Sequence, residues 1–375
     1  MSTGAIPPTM NAAVWQGDSA ELRVERIPVP RPRADEVLIR VAACGVCHTD
    51  LHVMKREVAF PAPAVIGHEV SGTVVEVGAE VAGLANGDRV VGAFIMPCGK
   101  CEQCRRGRDD LCLPFFNENR LKGNLLDGTS RLTRADGTRL SMYSMGGMAE
   151  YAVVPATALS PLDASLPLEE SCVLGCAAFT AYGAIAAAGL EAGESVAVVA
   201  VGGVGSSIVQ MAARLGASRV IAVDVADDKL RGAQSLGATH TINSSREDAR
   251  EALQVISPGG VDVVFEALGR PATFELSHSL MRDGGRMVAI GIADGAATAS
   301  IPITQLVRRG QTIRGSFGAR TRRDLPRVVE LAANDGFDVR GAVTKRYALA
   351  DANAAYADLA GGGITGRAIV IMPDA

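Results

Sequence analysis

The sequence predicts an α/β protein of two domains, one built on a doubly wound parallel sheet and the other mainly β. The chain has 375 residues, and a single hydrophobic core stops growing beyond about 250–300 residues. Residues 195–224 follow the order strand, glycine turn, helix, strand. Residues 10–112 instead show short apolar stretches of period two, separated by Gly, Pro and Asp, which is typical of half-buried strands.

The composition is that of a globular protein and narrows the classes of partner. Hydrophobic residues make up 48% and charged residues 21% of the chain, which excludes a disordered chain. The net charge of −4 gives no general attraction to nucleic acid or to anionic lipid. No apolar run approaches the ~20 residues of a membrane span, and the N-terminus lacks a signal-peptide pattern. We therefore expect a cytoplasmic protein.

The first domain carries its chemistry on the connections between strands. The runs V-L-I-R-V-A (37–42), V-S-G-T-V-V-E-V-G (70–78) and D-R-V-V-G-A-F (88–94) are predicted strands. Between them the chain reads C-H-T-D-L-H from Cys47 and G-H-E through His68 and Glu69. Loops braced by a sheet are common positions for functional sites.

Cys47 and His68 are candidate ligands of a catalytic zinc, which takes three protein ligands and leaves a fourth position open. The third ligand must come from elsewhere, and Cys176 in L-G-C-A-A-F-T is the best candidate. Cys172 lies four residues earlier in a stretch of helical pattern, so the two would share a helix face. Spacing alone therefore leaves open which of them binds metal, and Cys172 or Cys44 could serve only in packing.

Four further cysteines are spaced C-x2-C-x2-C-x7-C, at Cys98, Cys101, Cys104 and Cys112. Four thiolates complete a tetrahedral zinc with no open position, so this second metal would be structural. Zinc with four thiolates carries a formal charge of −2, which we expect nearby cations to offset: Lys100, Arg105, Arg106 and Arg108. A zinc ribbon that binds nucleic acid is disfavoured by the acidic chain and the lack of interleaved aromatic residues.

Residues 113–148 are polar and rich in Arg, Gly and Asp. We predict a long surface excursion with one hairpin at Asp136-Gly137. It would shape the substrate entrance or lie at an interface.

The second domain begins after a compositional break near residue 191. The buried-strand run S-V-A-V-V-A leads into Gly202, Gly203, Val204 and Gly205, and a helical pattern follows as far as Gly216. A second strand ends at Asp224, 19 residues beyond Gly205. This is the dinucleotide-binding fingerprint in its structural context. The turn and the helix N-terminus would receive the pyrophosphate, and Asp224 would bind the ribose and repel a 2′-phosphate, which favours NAD over NADP.

One position departs from that fingerprint, because Ala200 stands where the first glycine is usual. Alanine has the smallest Cβ, and we expect the turn to keep φ negative there. Two further runs, 261–268 and 286–292, read as buried parallel strands. They complete a domain over residues 178–317, and Ile290 and Ile292 at the end of the second run are expected to contact the coenzyme.

These motifs together resemble the zinc-containing alcohol dehydrogenases of the medium-chain dehydrogenase/reductase family. The resemblance covers essentially the whole chain: G-V-C-H-T-D-L-H, G-H-E, the four-cysteine lobe, L-G-C and V-G-G-V-G occur in order. It implies a GroES-like catalytic domain over residues 1–177 and 318–375, with the structural zinc lobe at 98–112. It also implies a Rossmann domain between them.

The resemblance assigns the third catalytic zinc ligand to Cys176, beside Cys47 and His68. It implies that Glu69 is a carboxylate behind the metal that can approach it during ligand exchange. Asp50 would be the partner of His68, and Thr49 and His52 would form a proton relay.

The same resemblance implies coenzyme contacts outside the fingerprint. His48 and Arg367 would contact the pyrophosphate, Lys229 the ribose, and Thr180 would lie beside the nicotinamide. Phe94 is similar to a wall of the family's substrate pocket.

The resemblance therefore implies an NAD-dependent alcohol dehydrogenase with two zinc ions per subunit, which interconverts alcohols with aldehydes or ketones. The 113–148 excursion is similar to the loop of the dimeric members, so a homodimer is favoured and a tetramer is possible. A thiol-adduct formaldehyde dehydrogenase is one alternative. A catalytically silent nucleotide-binding protein on the same fold is another.

Overall fold

The computed structural model describes residues 5–293 and 295–373, which form two compact units. The first unit contains the chain up to Cys176, Arg320–Ala333 and the chain from Val339 onward. The second contains Ala177–Ala319 and Asn334–Asp338.

The segment Asn334–Asp338 corrects the predicted boundaries, which placed all of residues 318–375 in the catalytic domain. Gln210, on a helix of the second unit, accepts a hydrogen bond from the backbone N–H of Asp338 through Oε1. Phe337 beside it is buried. These contacts hold the short segment on the second unit, and no local sequence pattern marks them.

The strands of the described residues, in chain order, are β1 (Thr9–Trp15), β2 (Leu22–Pro28), β3 (Glu36–Val46), β4 (Ala64–Val65), β5 (Val70–Val77), β6 (Arg89–Gly92), β7 (Leu132–Thr133), β8 (Arg139–Met142), β9 (Tyr151–Pro155), β10 (Leu159–Pro161), β11 (Ser195–Val199), β12 (Arg219–Asp224), β13 (His240–Asn243), β14 (Val261–Glu266), β15 (Met281–Ala289), β16 (Thr312–Gly315), β17 (Val343–Ala348) and β18 (Arg367–Ile371). The helices are α1 (His48–Met54), α2 (Glu102–Arg105), α3 (Ala177–Ala188), α4 (Gly203–Arg214), α5 (Asp227–Ser235), α6 (Ala249–Ile256), α7 (Pro271–Leu280), α8 (Ile303–Arg308), α9 (Thr321–Ala333), α10 (Val339–Ala342) and α11 (Ala352–Ala360).

The first unit is mainly β, as predicted, and is GroES-like. A five-stranded sheet has the order β2-β1-β4-β8-β7, and a seven-stranded sheet has the order β10-β6-β5-β3-β18-β17, with β9 also paired to β3. The central strand β3 is buried along nearly all its length. Its partner β18 pairs Ala368 with Val46 in antiparallel register. The chain's last strand therefore lies beside the end of β3, where the first metal-ligand candidate follows.

The excursion 113–148 contains the predicted hairpin, because β7 and β8 pair across a turn in which Gly137 has φ 86°. It is not a purely surface segment, which corrects the prediction. Its Arg131 forms a buried two-pronged ion pair with Glu36 of β3, at 2.5 and 2.8 Å. The Asn119 amide nitrogen donates to three backbone carbonyls within the excursion. These contacts turn a polar sequence into a packed part of the first unit.

The second unit is a doubly wound Rossmann domain. Its sheet has the order β13-β12-β11-β14-β15-β16, and every pairing is parallel. Its core is built from the apolar side chains of these strands together with α6 and α7. The strand order reverses between β11 and β14, and open sheets of this type bind ligands at that switch point.

The turn after β11 departs from the expectation for Ala200, whose φ is +71° rather than negative. The Ala200 N–H donates to the Val223 carbonyl at 2.8 Å, which fixes the turn against β12. At Gly205 a Cβ would lie 2.0 Å from the Ala200 oxygen, so the helix start packs directly on this peptide. The close approach forces the left-handed conformation, which costs an L-residue about 1–2 kcal/mol.

We expect Ala200→Gly to raise the free energy of unfolding of the second unit by about 0.5 kcal/mol, because relief of the left-handed strain exceeds the entropy that glycine loses. Denaturant titration measures the change. Ala197→Gly, in the middle of β11, serves as the control and should destabilise. An equal loss of stability in the two variants would contradict the strain argument.

One stretch of the described chain, Glu170–Ala188, has the length and apolar character of a membrane-spanning helix. Of its most apolar 18 residues, 78% are buried inside the protein. Core helices share these properties. The stretch is also interrupted at Cys176, between a 3-10 turn at Glu170–Gly175 and α3.

Candidate active site and metal centres

The structure brings the three predicted catalytic zinc ligands together in the first unit. Cys47 lies between β3 and α1, His68 between β4 and β5, and Cys176 at the end of the 3-10 turn. One ligand atom from each, and a carboxylate oxygen of Glu69, all lie within 4.8 Å of one another. Residues far apart in the sequence therefore supply one compact donor set.

The backbone at Cys176 separates this residue from Cys172, the alternative ligand that spacing left open. Its φ of −136° and ψ of −72° break the helical path, so Cys172 and Cys176 do not share one regular helix face. Cys172 is fully buried in the 3-10 turn, and Cys44 is fully buried in β3. Within the described residues, neither belongs to a group of potential metal ligands, so both are packing residues.

Asp50 fixes the orientation of His68. Its buried carboxylate accepts from His68 Nδ1 at 3.0 Å and from the Gly67 N–H at 3.2 Å. Tyr356 on α11 donates to the other carboxylate oxygen at 3.2 Å. Because Nδ1 is engaged, Nε2 is the nitrogen left for a metal. Tyr356 was not identified from the sequence, since nothing local distinguishes it from other tyrosines.

The charges around His68 and the two thiols match a metal site. Burial alone would lower the pKa of His68, but the charges of Asp50 and Cys47 outweigh it and raise this pKa to about 9. The hydrogen bond from the Cys176 thiol holds the pKa of the Cys47 thiol well below its ordinary value. The same hydrogen bond, together with burial, raises the pKa of the Cys176 thiol well above its ordinary value. A divalent cation bound here would favour the thiolate form of both sulfurs.

Glu69 is buried behind this donor set. Its Oε1 pairs with Arg367, whereas Oε2 has no hydrogen-bond partner among the described residues. A Cβ at Gly45 would lie 2.1 Å from that oxygen, so glycine is needed for the close approach of β3. The orphaned carboxylate oxygen, two sulfurs and an oriented imidazole form a donor set that fits zinc. Arg367, which was predicted to contact pyrophosphate, forms this ion pair, and its contact with pyrophosphate stays a prediction.

The predicted relay residues lie on α1. Thr49 Oγ1 is 3.6 Å from Cys47 Sγ. The His52 side chain is 49% exposed, and its Nδ1 pairs with the carboxylate of Glu57. His48 is exposed at the start of α1, with its ring centroid 6.4 Å from that of His52. Glu57 is a further residue that the sequence did not single out.

Aromatic residues surround the imidazole of the ligand set. Phe94, predicted as a wall of the substrate pocket, meets the His68 ring edge-on with 6.1 Å between centroids. Tyr143, from the excursion, meets the same ring at 6.0 Å, and Phe60 meets Tyr143 at 4.9 Å. Of these three aromatic residues, only Phe94 was predicted from the sequence.

The four-cysteine lobe also forms one cluster, with the sulfurs of Cys98, Cys101, Cys104 and Cys112 within 4.8 Å of one another. The Cys98 N–H donates to Cys112 Sγ, and the Cys101 N–H donates to Cys98 Sγ, both at 3.2 Å. Burial raises the pKa of Cys104, and it raises that of Cys112 to about 11. The full tetrathiolate therefore needs a bound cation, and four sulfurs suit structural zinc.

The cations predicted beside this lobe form pairs and hydrogen bonds of their own. Arg106 pairs with Glu102, and Arg108 with Asp110. The Arg105 guanidinium donates to the Lys100 backbone carbonyl at 2.5 Å. The side chains of Arg105, Arg106 and Arg108 are thus engaged with other partners.

Arg322, from α9, also contacts the lobe. It donates to the Cys104 carbonyl at 2.7 Å and forms a two-pronged pair with the buried carboxylate of Asp109. That pair raises the pKa of Arg322, and the charges of Cys104 and Cys98 act in the same direction. Only the return of the chain could place it there.

We expect Arg322→Ala to raise the rate of zinc release from the lobe to a chelator by about tenfold, because partners behind the ligands typically change metal affinity by that much or more. Arg106→Ala is the control. Its pair with Glu102 is exposed on both sides, and exposed pairs contribute little. A chromogenic chelator measures both rates, and equal rates would rule out the role of Arg322.

The coenzyme candidates of the fingerprint lie in the second unit. Gly202, Gly203, Val204 and Gly205 form the turn after β11 and the first turn of α4. The buried carboxylate of Asp224 accepts from the backbone N–H groups of Val201, Val225 and Ala226, at 2.8 to 3.1 Å. Asp224 therefore also braces the glycine turn, a role that the sequence analysis missed.

The remaining coenzyme candidates occupy separate elements of that unit. Thr180 is buried on α3, and Lys229 is half-buried in the first turn of α5. Ile290 and Ile292 follow β15, and Ile292 is largely exposed. Their contacts with a coenzyme stay predictions.

Comparisons with known proteins agree with this fold and site. A family model for the alcohol dehydrogenase GroES-like domain matches residues 33–164, and a model for zinc-binding dehydrogenases matches residues 203–334. Fold and site thus define a medium-chain oxidoreductase of the alcohol dehydrogenase type. The chain belongs to the zinc-containing alcohol dehydrogenase family.

Solved structures resemble the chain over nearly its whole length. An alcohol dehydrogenase zinc-binding domain protein from Burkholderia ambifaria is 34% identical, covers 98% of this chain and 99% of its own, and has a TM-score of 0.92. Benzyl alcohol dehydrogenase from Acinetobacter calcoaceticus is 31% identical, with 97% and 99% covered and a TM-score of 0.91. A Sinorhizobium meliloti protein described as a zinc-binding dehydrogenase and solved with NADP is 27% identical, with 97% and 100% covered and a TM-score of 0.82. Together with the donor set, these likenesses support a metal and a nicotinamide cofactor.

Proposed function

We propose that this chain is a zinc-dependent alcohol dehydrogenase that uses NAD, with Cys47, His68 and Cys176 as the catalytic metal ligands. The observation that carries the proposal is the convergence of these ligand atoms within 4.8 Å, with Asp50 holding His68 by its Nδ1. Zinc held there would supply a Lewis acid that polarises the oxygen of an alcohol or carbonyl substrate. Two thiolates and a neutral imidazole balance its charge, so the site would tolerate loss of the substrate's hydroxyl proton.

The proton would leave the substrate along α1. Thr49 Oγ1 lies beside the ligand set, 3.6 Å from Cys47 Sγ. It would accept the substrate's hydroxyl proton and release its own hydroxyl proton toward His52. His52 is half-exposed and would deliver that proton to solvent. Glu57 engages Nδ1 of this histidine, so Nε2 is the nitrogen left as the base. Glu69 would stay behind the ligands, held by Arg367.

The coenzyme would bind in the Rossmann unit and act as the hydride acceptor. The first N–H groups of α4 offer donors for its pyrophosphate. Asp224 and the two acids that open α5, Asp227 and Asp228, give the ribose end a negative character. Negative charge there favours NAD, whose ribose carries a free 2′-hydroxyl, over NADP.

We expect Asp224→Asn to weaken NADH binding and to narrow the preference for NADH over NADPH by about tenfold, because one charge that repels the 2′-phosphate is lost. Fluorescence titration with both coenzymes measures the ratio. Asp228→Asn, an exposed acid in the first turn of α5, removes the same charge nearby and should change the ratio less. A wild-type protein that binds NADPH more tightly would contradict the proposal.

The proposed activity is tested with a panel of primary, allylic, aromatic and secondary alcohols, read as NADH absorbance. Benzyl alcohol is included because a neighbour with 31% identity is a benzyl alcohol dehydrogenase. The panel is repeated after chelation and after zinc is restored. Turnover that falls with zinc content and returns with it supports the proposal.

Two results would favour the alternatives. Turnover of formaldehyde only in the presence of glutathione would indicate a thiol-adduct dehydrogenase. Zinc-loaded protein that binds NADH but oxidises no alcohol would indicate a silent nucleotide-binding protein.

A further inference from the structure

Two buried hydrogen-bond donors beside the catalytic ligands have no partner in the part of the chain that the structure describes. They are the Tyr143 hydroxyl and Arg120 Nη1, and both belong to the excursion 113–148. Tyr143 is 1% exposed. A buried donor without a partner costs about 1–3 kcal/mol, and more when charged. These two donors of the first unit therefore need an acceptor that the described residues do not supply.

The two groups lie next to each other and next to the ligand set. The Arg120 guanidinium stacks on the Tyr143 ring, with Cζ 4.2 Å from its centroid. That ring meets the imidazole of His68 edge-on at 6.0 Å. The charge of Arg120 also acts on the thiol of Cys176. Arg120 therefore lies within two side-chain contacts of the catalytic ligands.

The stacked geometry keeps the guanidinium available for a ligand. Stacking uses the face of the planar group, and its N–H donors stay free in the plane. A planar fork of donors matches a carboxylate. The Tyr143 hydroxyl can add one more donor.

Charge complementarity points to the same chemistry. The nearby carboxylates are engaged elsewhere: Asp50 accepts from His68 and Tyr356, and Glu69 pairs with Arg367. Zinc with two thiolates and a neutral imidazole carries no net charge. The positive charge of Arg120 has no ion-pair partner within residues 5–293 and 295–373. A ligand with one negative charge would balance it, whereas a phosphate dianion would need a second cation.

We propose that Arg120 and Tyr143 form a carboxylate subsite, so that the substrate is an alcohol or aldehyde that carries a carboxylate group at its far end. This rests on the proposed alcohol dehydrogenase activity. The short path from His68 through Tyr143 to Arg120 suits a compact molecule. The rings of Phe94 and Phe60, which contact His68 and Tyr143, suit a flat one. An aromatic ring between the hydroxymethyl and carboxylate groups meets both conditions.

The test compares 4-(hydroxymethyl)benzoate with its neutral isostere, 4-(hydroxymethyl)benzamide, and reports the ratio of their kcat/KM values. We expect wild-type protein to favour the carboxylate by about 10- to 100-fold, the range for a charge-assisted hydrogen bond. Arg120→Gln should bring the ratio close to one, and Arg120→Lys should retain part of the preference. Tyr143→Phe should reduce it by a smaller factor.

Lys122→Gln is the matched control. It removes the same charge two residues away, from an exposed pair with Glu118, and should leave the ratio unchanged. Should Arg120→Gln fail to fold, inhibition of the wild-type protein by terephthalate against benzyl alcohol takes its place. Competitive inhibition that Tyr143→Phe weakens supports the subsite.

The outcomes separate this inference from the proposed function. The subsite alone would be overturned if wild-type protein oxidised the neutral isostere as well as the carboxylate, with a kcat/KM ratio near one, and if terephthalate did not inhibit it. No turnover of any alcohol by zinc-loaded protein would overturn the proposed function. A hydroxymethyl adduct of glutathione also presents a carboxylate, and its turnover, if lowered by Arg120→Gln, would assign the subsite to that source.

Discussion

Replacing Cys176 by alanine is expected to remove the catalytic zinc and to lower kcat/KM for alcohols by about 10³-fold, since a metal that polarises the reacting oxygen contributes several kcal/mol. One sulfur and one imidazole would remain of the three predicted ligands, together with the Glu69 carboxylate. The Glu69 carboxylate is held by Arg367, so only two strong ligands would remain, whereas structural and catalytic sites almost always use three or four. The loss should therefore appear in metal content as well as in rate.

Cys172→Ala is the matched control, because it makes the same substitution four residues earlier. Its thiol is fully buried in the 3-10 turn and lies outside the ligand set. Loss of one buried sulfur should cost about 1 kcal/mol of stability and leave zinc content unchanged. Elemental analysis of both purified variants decides the matter. Two zinc equivalents in Cys176→Ala, or one in Cys172→Ala, would contradict the assignment.

Cys112→Ala is expected to empty the four-cysteine lobe and to lower the apparent Tm by about 5–10 °C, because the binding free energy of a structural metal is also folding free energy. The lobe spans residues 98–112 and has little apolar core of its own, with Leu111 at 39% exposure. Metal therefore replaces a core here. The catalytic ligands are separate, so kcat should fall by less than about tenfold.

Zinc content, thermal unfolding and limited proteolysis of the lobe measure this effect together. Cys44→Ala, a buried cysteine of β3 outside both clusters, controls for loss of a thiol. The expected pattern is one zinc equivalent, a lower Tm and new cleavage within the lobe. An unchanged Tm with one equivalent of zinc would show that the lobe metal does not stabilise the first unit.

Much of the fold and the ligand set could be predicted because their signals are local. A buried parallel strand is recognisable as an apolar run, and the turn after β11 as a cluster of glycines. Cysteine and histidine bind metal through their own side-chain chemistry. Spacing alone therefore indicates a set of candidate metal ligands at Cys98, Cys101, Cys104 and Cys112. The spacing of Cys172 and Cys176 left two alternatives; the resemblance favours Cys176, and of the two it is Cys176 that lies in the donor cluster.

The partners behind these groups could not be predicted, because tyrosine and arginine hydrogen-bond in many contexts and carry no pattern that names a partner. Tyr356 reaches Asp50 across 306 residues, and Arg322 reaches Asp109 across 213. The pairs of Arg106 with Glu102 and of Arg108 with Asp110 were missed for the same reason. Arg120 is a similar case, because only the folded excursion stacks it on Tyr143.

The sequence by itself indicated the class of protein, the two domains, the four-cysteine lobe and the dinucleotide turn, because each depends on residue type and short spacing. The tertiary structure alone decided the left-handed Ala200, the pairing of Arg367 with Glu69 and the unpartnered donors of the excursion. These features arise where distant segments are forced into contact, and backbone strain and charge pairing are set by that contact.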